Sequence, residues 1–119
     1  MTQLTNHLEA NLKREITKIY KSSFGKGPKE TTVKIFDNIV FIRFDGGLSQ
    51  IEQSLMGSEA GKEIVRKIRD ELILEQSFLY VPLVEKIVNA KVDVVSYIIG
   101  KKNNAMYISL VFENDIEIN

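Results

Sequence analysis

The chain has 119 residues, with 16 Lys and Arg against 16 Asp and Glu, one His, and neither Cys nor Trp. It is 44% hydrophobic and 27% charged, the make-up of a globular domain large enough to bury a core without disulfides. These figures exclude a disulfide scaffold, a thiol nucleophile and a Cys-ligated zinc or iron–sulfur centre, and the zero net charge argues against a protein built mainly to neutralise nucleic-acid phosphates.

No run of about eighteen apolar residues occurs, so no membrane-spanning helix is expected. The polar start, Met1 to His7, lacks the basic and apolar regions of a signal peptide. One domain covering residues 1–119, in the cytoplasm, is the expectation.

Leu4, Leu8, Leu12, Ile16 and Ile19 recur at helical spacing, with Glu9, Lys13, Arg14, Glu15 and Lys18 on the other side. That helix is expected to end between Lys21 and Phe24, with Gly25 as a left-handed cap and Pro28 beyond it. Thr31–Phe36 and Ile39–Phe44 read as a strand pair joined by the Asp37-Asn38 turn. Val33, Ile35, Val40, Ile42 and Phe44 would share one sheet face, and Phe36, Ile39 and Phe41 the other. A second apolar face with few helices to cover it points to a homodimer.

Ser49-Gln50-Ile51-Glu52 fits a capping box, in which hydroxyl and carboxylate each satisfy a backbone donor. The short helix it opens breaks at Met56-Gly57. Ser58 caps a longer helix, whose expected buried stripe is Ile64, Val65, Ile68 and Leu72, with Glu59 and Glu63 at the positive end of its dipole. Pro82 marks the first turn of a separate helix to about Asn89, or else a kink in a continuous one. Lys91–Gly100 and Ala105–Glu113 form a closing hairpin around the Lys101–Asn104 turn, and Asn114–Asn119 a frayed end or short edge strand. The fold class is α+β: a two-layer sandwich with a mostly antiparallel four-stranded sheet of two hairpins, helices on one face, and the order α-ββ-α-α-α-ββ.

Gly25-Lys26-Gly27-Pro28 is a candidate partner- or anion-binding loop, because glycines expose backbone N–H groups and the Lys adds charge. The phosphate-loop order is not met: the loop follows a helix, opens a strand, and Lys26 precedes Gly27. A helix cap plus a turn accounts for the same residues. Lys62, Arg66 and Arg69 share a helix face and form a second candidate, a docking stripe for an acidic partner or a phosphate backbone. Pairs at Glu63–Lys67 and Arg66–Asp70 would instead make it a solvated face, and Arg69, nearest the apolar stripe, suits a partly buried ion pair. Asp45, Glu52 and Glu59 cluster in sequence, but the capping role of Glu52 and the helix-start role of Glu59 explain them structurally. His7 alone forms no metal or nucleophile constellation. Residues 1–30 hold six basic and three acidic groups, so the mildly basic end of the chain closes on the Gly-Lys-Gly-Pro loop.

Taken together, these residues resemble the MpsC-like family of small bacterial proteins. The resemblance rests on Gly25-Lys26-Gly27-Pro28 after an N-terminal helix, and on Leu48, Ser49, Glu52 and Leu55, which match the pattern Leu, Thr or Ser, two residues, Glu, two residues, Leu. Arg69, Glu85, Ile87 and a closing hairpin complete it. Members commonly carry Gly near the end of the last helix, where this chain has Asn89-Ala90, so a different cap is expected. The resemblance implies association with a sodium-linked membrane-potential-generating and bicarbonate-uptake system; it supplies no catalytic residue and no cofactor.

The function that follows is a non-catalytic cytoplasmic accessory or regulatory protein that binds a protein partner, with a membrane protein among the candidates, and acts as a homodimer. The alternatives are a small-molecule or anion sensor using Gly25, Lys26, Gly27 and Pro28, and a nucleic-acid-binding module using Lys62, Arg66 and Arg69.

Overall fold

The computed structural model describes residues 2–100 and 105–116. Helix α1 (Thr2–Phe24) leads to strands β1 (Glu30–Phe36) and β2 (Ile39–Asp45), then helices α2 (Gln50–Leu55) and α3 (Glu59–Val88), then strands β3 (Val92–Ile99) and β4 (Met106–Phe112). The four strands form one antiparallel sheet in the order β1-β2-β4-β3, so the two hairpins join through their second strands. The α+β class and the two-hairpin sheet are as expected.

One element is corrected. Pro82 does not open a separate helix; it lies inside α3, which runs unbroken for 30 residues. Proline costs a helix one hydrogen bond and a steric clash with the preceding turn. Here Tyr80, Val84 and Val88 are buried on either side of it, and their packing holds the helix together. The left-handed residue that ends α3 is Asn89, at φ 55° and ψ 52°, a conformation Asn adopts more readily than other side chains. Gly25, at φ 76°, ends α1 as expected, its N–H bonding the Lys21 carbonyl at 2.9 Å.

The core lies between one sheet face and the two long helices. Leu12, Ile16 and Tyr20 of α1 and Ile73, Tyr80, Val84 and Val88 of α3 pack on Val33, Ile35, Val40, Ile42, Phe44, Met106, Ile108, Leu110 and Phe112. Strict alternation puts these strand residues on one side, as period 2 requires. Phe36, Ile39 and Phe41 point to the other side, which no helix covers among the described residues; Phe41 there meets Tyr107, ring centroids 6.2 Å apart. The α1 stripe is displaced toward its C-terminal end, with Tyr20 buried and Leu4 exposed.

The α3 stripe differs more. Its buried row is Gly61, Val65, Arg69, Ile73, Tyr80, Val84 and Val88, while Ile64 and Ile68 face solvent and Leu72 is half-buried. The spacing put Ile64 and Ile68 inside with Arg69 beside them in a partly buried ion pair; the ion pair forms and is fully buried, and the helix is turned so that the two isoleucines face out. The Lys101–Asn104 turn and residues 117–119 lie outside the described residues. The tail before them is anchored, with Ile116 buried and its N–H on the Asp37 carbonyl at 3.0 Å.

Tyr80 is 5% exposed and its hydroxyl is buried with no hydrogen-bond partner among the described residues. Burial, with a smaller contribution from Tyr97, pushes its phenol up to about 12. Tyr80→Phe removes a polar atom that the fold leaves unsatisfied, so urea denaturation should find stability unchanged or raised by about 1 kcal/mol. The unfolded phenol ionises near pH 10 and the folded one near 12, so the wild type should lose stability across that window. Tyr80→Phe should remove its share of the loss.

Candidate functional site

The expected capping box forms at the start of α2. The Ser49 hydroxyl accepts from the Glu52 N–H at 3.2 Å, and the Glu52 carboxylate accepts from the Ser49 N–H at 2.9 Å. This fixes the Glu52 carboxylate at the turn before α2, and α2 is held against α3 by a second local device. Gly61, in the first turns of α3, has the Leu55 carbonyl where a side chain would stand, 1.8 Å from an ideal Cβ. Only a glycine admits that contact.

Arg69 enters this junction from α3 and is 2% exposed. Its Nε donates to one Glu52 oxygen and its Nη2 to the other, both at 2.7 Å, a bidentate pair. Nη1 donates to the Tyr20 hydroxyl at 2.5 Å and lies 3.3 Å from the Met106 sulfur, and Nη2 also reaches the Gly47 carbonyl at 3.2 Å. A guanidinium has five N–H donors, and here each has an acceptor. The Phe24 ring stacks beside the cation, 4.1 Å from its central carbon to the ring centroid. Tyr20 donates in turn to the Gly46 carbonyl at 3.3 Å.

The charges stay ionised. Burial pushes the Glu52 carboxyl up, but the Arg69 hydrogen bonds, the Ser49 N–H and the guanidinium charge outweigh it and hold the group below its ordinary value. Burial likewise works against the Arg69 cation, and its bonds to Glu52 and Tyr20 more than compensate. Tyr20 is raised, chiefly by burial, so it remains a neutral hydroxyl.

The Gly25–Pro28 loop meets this centre from outside. Gly47 stands at φ 79°, and a Cβ there would lie 2.8 Å from Pro28 Cα and 3.0 Å from both the Gly27 carbonyl and the Tyr20 hydroxyl. Thus Gly27, Pro28, Ser49, Glu52 and Arg69 converge, far apart in sequence as they are. Lys26 is exposed and takes no part. The loop also follows the C-terminal end of α1, whose carbonyls favour cations over anions.

Arg69 is sealed inside, so Lys62, Arg66 and Arg69 do not form one surface. Lys62 pairs with Glu59 at 3.4 Å, and the expected Glu63–Lys67 and Arg66–Asp70 pairs do not close. Asp45 is engaged by Arg43 at 3.0 Å, which separates the three clustered carboxylates into three different ion pairs. Among the described residues no three His, Cys, Asp or Glu side chains converge as a metal site would require. Sequence reasoning missed Tyr20, Phe24 and Met106; the first was legible only as the next turn of the α1 stripe after Ile16. It also left Glu85 without a role. That carboxylate accepts the Val92 N–H at 2.9 Å and ties the end of α3 to β3.

Arg69→Met strands a buried carboxylate and should cost about 3–5 kcal/mol in chemical denaturation, as should Glu52→Leu, whereas the double variant should recover much of the loss. The pair also sets an acid dependence. The folded Glu52 carboxyl lies below its ordinary 4.5, so its contribution is complete above that pH and disappears as pH falls through the folded value. Glu52→Gln should flatten the stability curve below pH 4.5.

No curated protein and no solved structure matches the chain. A family profile does, over residues 5–114, and its description is "Na+-translocating membrane potential-generating system (MpsC)". Matched over nearly its whole length, the chain belongs to the MpsC family.

Proposed function

We propose that this chain is a non-catalytic, cytoplasmic accessory protein of a membrane-potential-generating system, a homodimer that acts by binding a membrane-protein component. Family membership supplies the link to the system. The observation that carries the binding role is the outward row of α3. Ile64 and Ile68 lie one turn apart on one helical face, 49% and 40% exposed, and Leu79 takes up the same face again beyond Glu71 and Glu75. Isolated exposed aliphatics are ordinary, but a row of them along one helix is the usual mark of a partner surface. No helix among the described residues is long and apolar enough to cross a membrane, so contact with the system would run through such a surface. The polar groups support the same reading, because the buried charges are spent on one another and Arg69 has no donor left for a substrate.

Deleting the gene in the native cell should lower the sodium-dependent part of the membrane potential, read with a potential-sensitive dye. The wild-type chain should restore it, and an Ile64→Asp, Ile68→Asp variant should not, although both sites face solvent and the fold should survive. Restoration by the variant would remove this face from consideration. An unchanged potential after deletion would remove the proposed role in the system.

A further inference from the structure

The two edges of the sheet are treated differently. At the β1 edge, α1 lies alongside, Glu9 accepts the Ile35 N–H at 2.7 Å, and Glu30 and Lys34 are exposed. Covered amides and edge charges of this kind prevent further pairing. The β3 edge has almost none of this protection. The Gly100 N–H bonds the Ala105 carbonyl, so the antiparallel alternation directs the amides of Ser96 and Ile98 to β4 and those of Val95, Tyr97 and Ile99 outward. Asp93 is the only charge in the strand, and Val94, Val95 and Ile98 are exposed, Ile98 by 69%.

Beside this edge lies a groove of about 370 Å³ between β3 and α3, lined by Leu74, Phe78, Val81, Pro82, Val95 and Tyr97 among others. Phe78 is 80% exposed and Leu74 55%. The groove has the form that a fifth strand would fill: backbone groups on one wall, and apolar surface on the other to receive alternate side chains.

We propose that the occupant is β3 of a second copy of this chain, paired antiparallel about a two-fold axis near Val95 and closing two sheets into one of eight strands. This rests on the homodimer reading above and gives that dimer its interface. Charge selects the second copy. The α3 flank next to Tyr97 is acidic: Asp70 and Glu71 both act on that residue, whose phenol they raise after burial has done so. The incoming strand starts at Lys91, which this pairing sets beside Ile98 and Ile99, within the same field. A two-fold arrangement repeats the match at both ends and uses up both exposed edges, so assembly stops at two.

Sedimentation equilibrium of the whole chain tests this. The wild type should have twice the monomer mass. Val95→Pro removes an outward N–H that β4 does not use, and Phe78→Glu charges the groove from an exposed helix position. Each should give a folded monomer by circular dichroism. If Val95→Pro fails to fold, Phe78→Glu decides the matter alone. A wild-type monomer at high concentration overturns both the edge pairing and the dimer. A dimer that survives Phe78→Glu overturns the edge pairing only and moves the interface elsewhere, with the uncovered sheet face the next place to look.

Discussion

A buried guanidinium must find an acceptor for each of its five N–H groups, and Arg69 finds them in four separate parts of the chain. Glu52 comes from α2, Tyr20 from α1, Gly47 from the loop after the first hairpin and Met106 from the last strand. Each is placed by something local: the capping box, the end of the α1 stripe, a positive-φ glycine, and the alternation of β4. A buried ion pair adds little net stability over apolar packing of the same shape. What it does is make one arrangement far better than its neighbours. An α3 rotated by a fraction of a turn would leave the Glu52 carboxylate without its guanidinium and the Tyr20 hydroxyl oxygen without the donor it accepts from.

This constraint explains why the glycines stand where they do. For Arg69 to reach Glu52, α2 must lie close to α3, and Gly61 permits it by leaving room for the Leu55 carbonyl. For Tyr20 to reach Arg69 while the chain turns from β2 into α2, the second loop must pass against the first. Gly47 allows that passage beside Pro28 and Gly27. Gly27 and Pro28 are thereby a wall of the buried centre, while Gly25 and Lys26 of the same segment stay outside.

What the sequence made legible was what is local. The hairpins follow from period-2 alternation in Val33/Ile35 and in Met106, Ile108, Leu110 and Phe112, and the capping box sits within four residues. The partner of Arg69 was not legible, because Glu52 lies 17 positions away and a hydropathy pattern counts arginine as surface. The full burial of Arg69 turns Ile64 and Ile68 outward, while Val65 stays in the buried row. The junction of β2 with β4 was hidden for a related reason: two hairpins of alternating apolar residues can join in several orders, and the choice depends on which helix crosses which. Pro82 read as a boundary because a helix interior normally excludes it, and here flanking core contacts override the local preference.

The surface of the molecule follows from the same buried charge. On a helix, Arg69 and the row of Ile64 and Ile68 point about a third of a turn or more apart. Once the guanidinium is committed to the interior, these isoleucines are turned outward, and so is Leu79 three turns on from Ile68. A sequence that wanted only a stable core would have put the aliphatics inside and the arginine in water. This chain buries Arg69 in line with Val65 and Ile73 and leaves Ile64 and Ile68 in water, and the cost of burying the charge is offset by a fully satisfied set of hydrogen bonds. The outcome is a helix whose buried row admits one arginine among apolar residues and whose outer surface sets Ile64, Ile68 and Leu79 among exposed charges, so those exposed aliphatics are a product of the interaction that holds the fold in register.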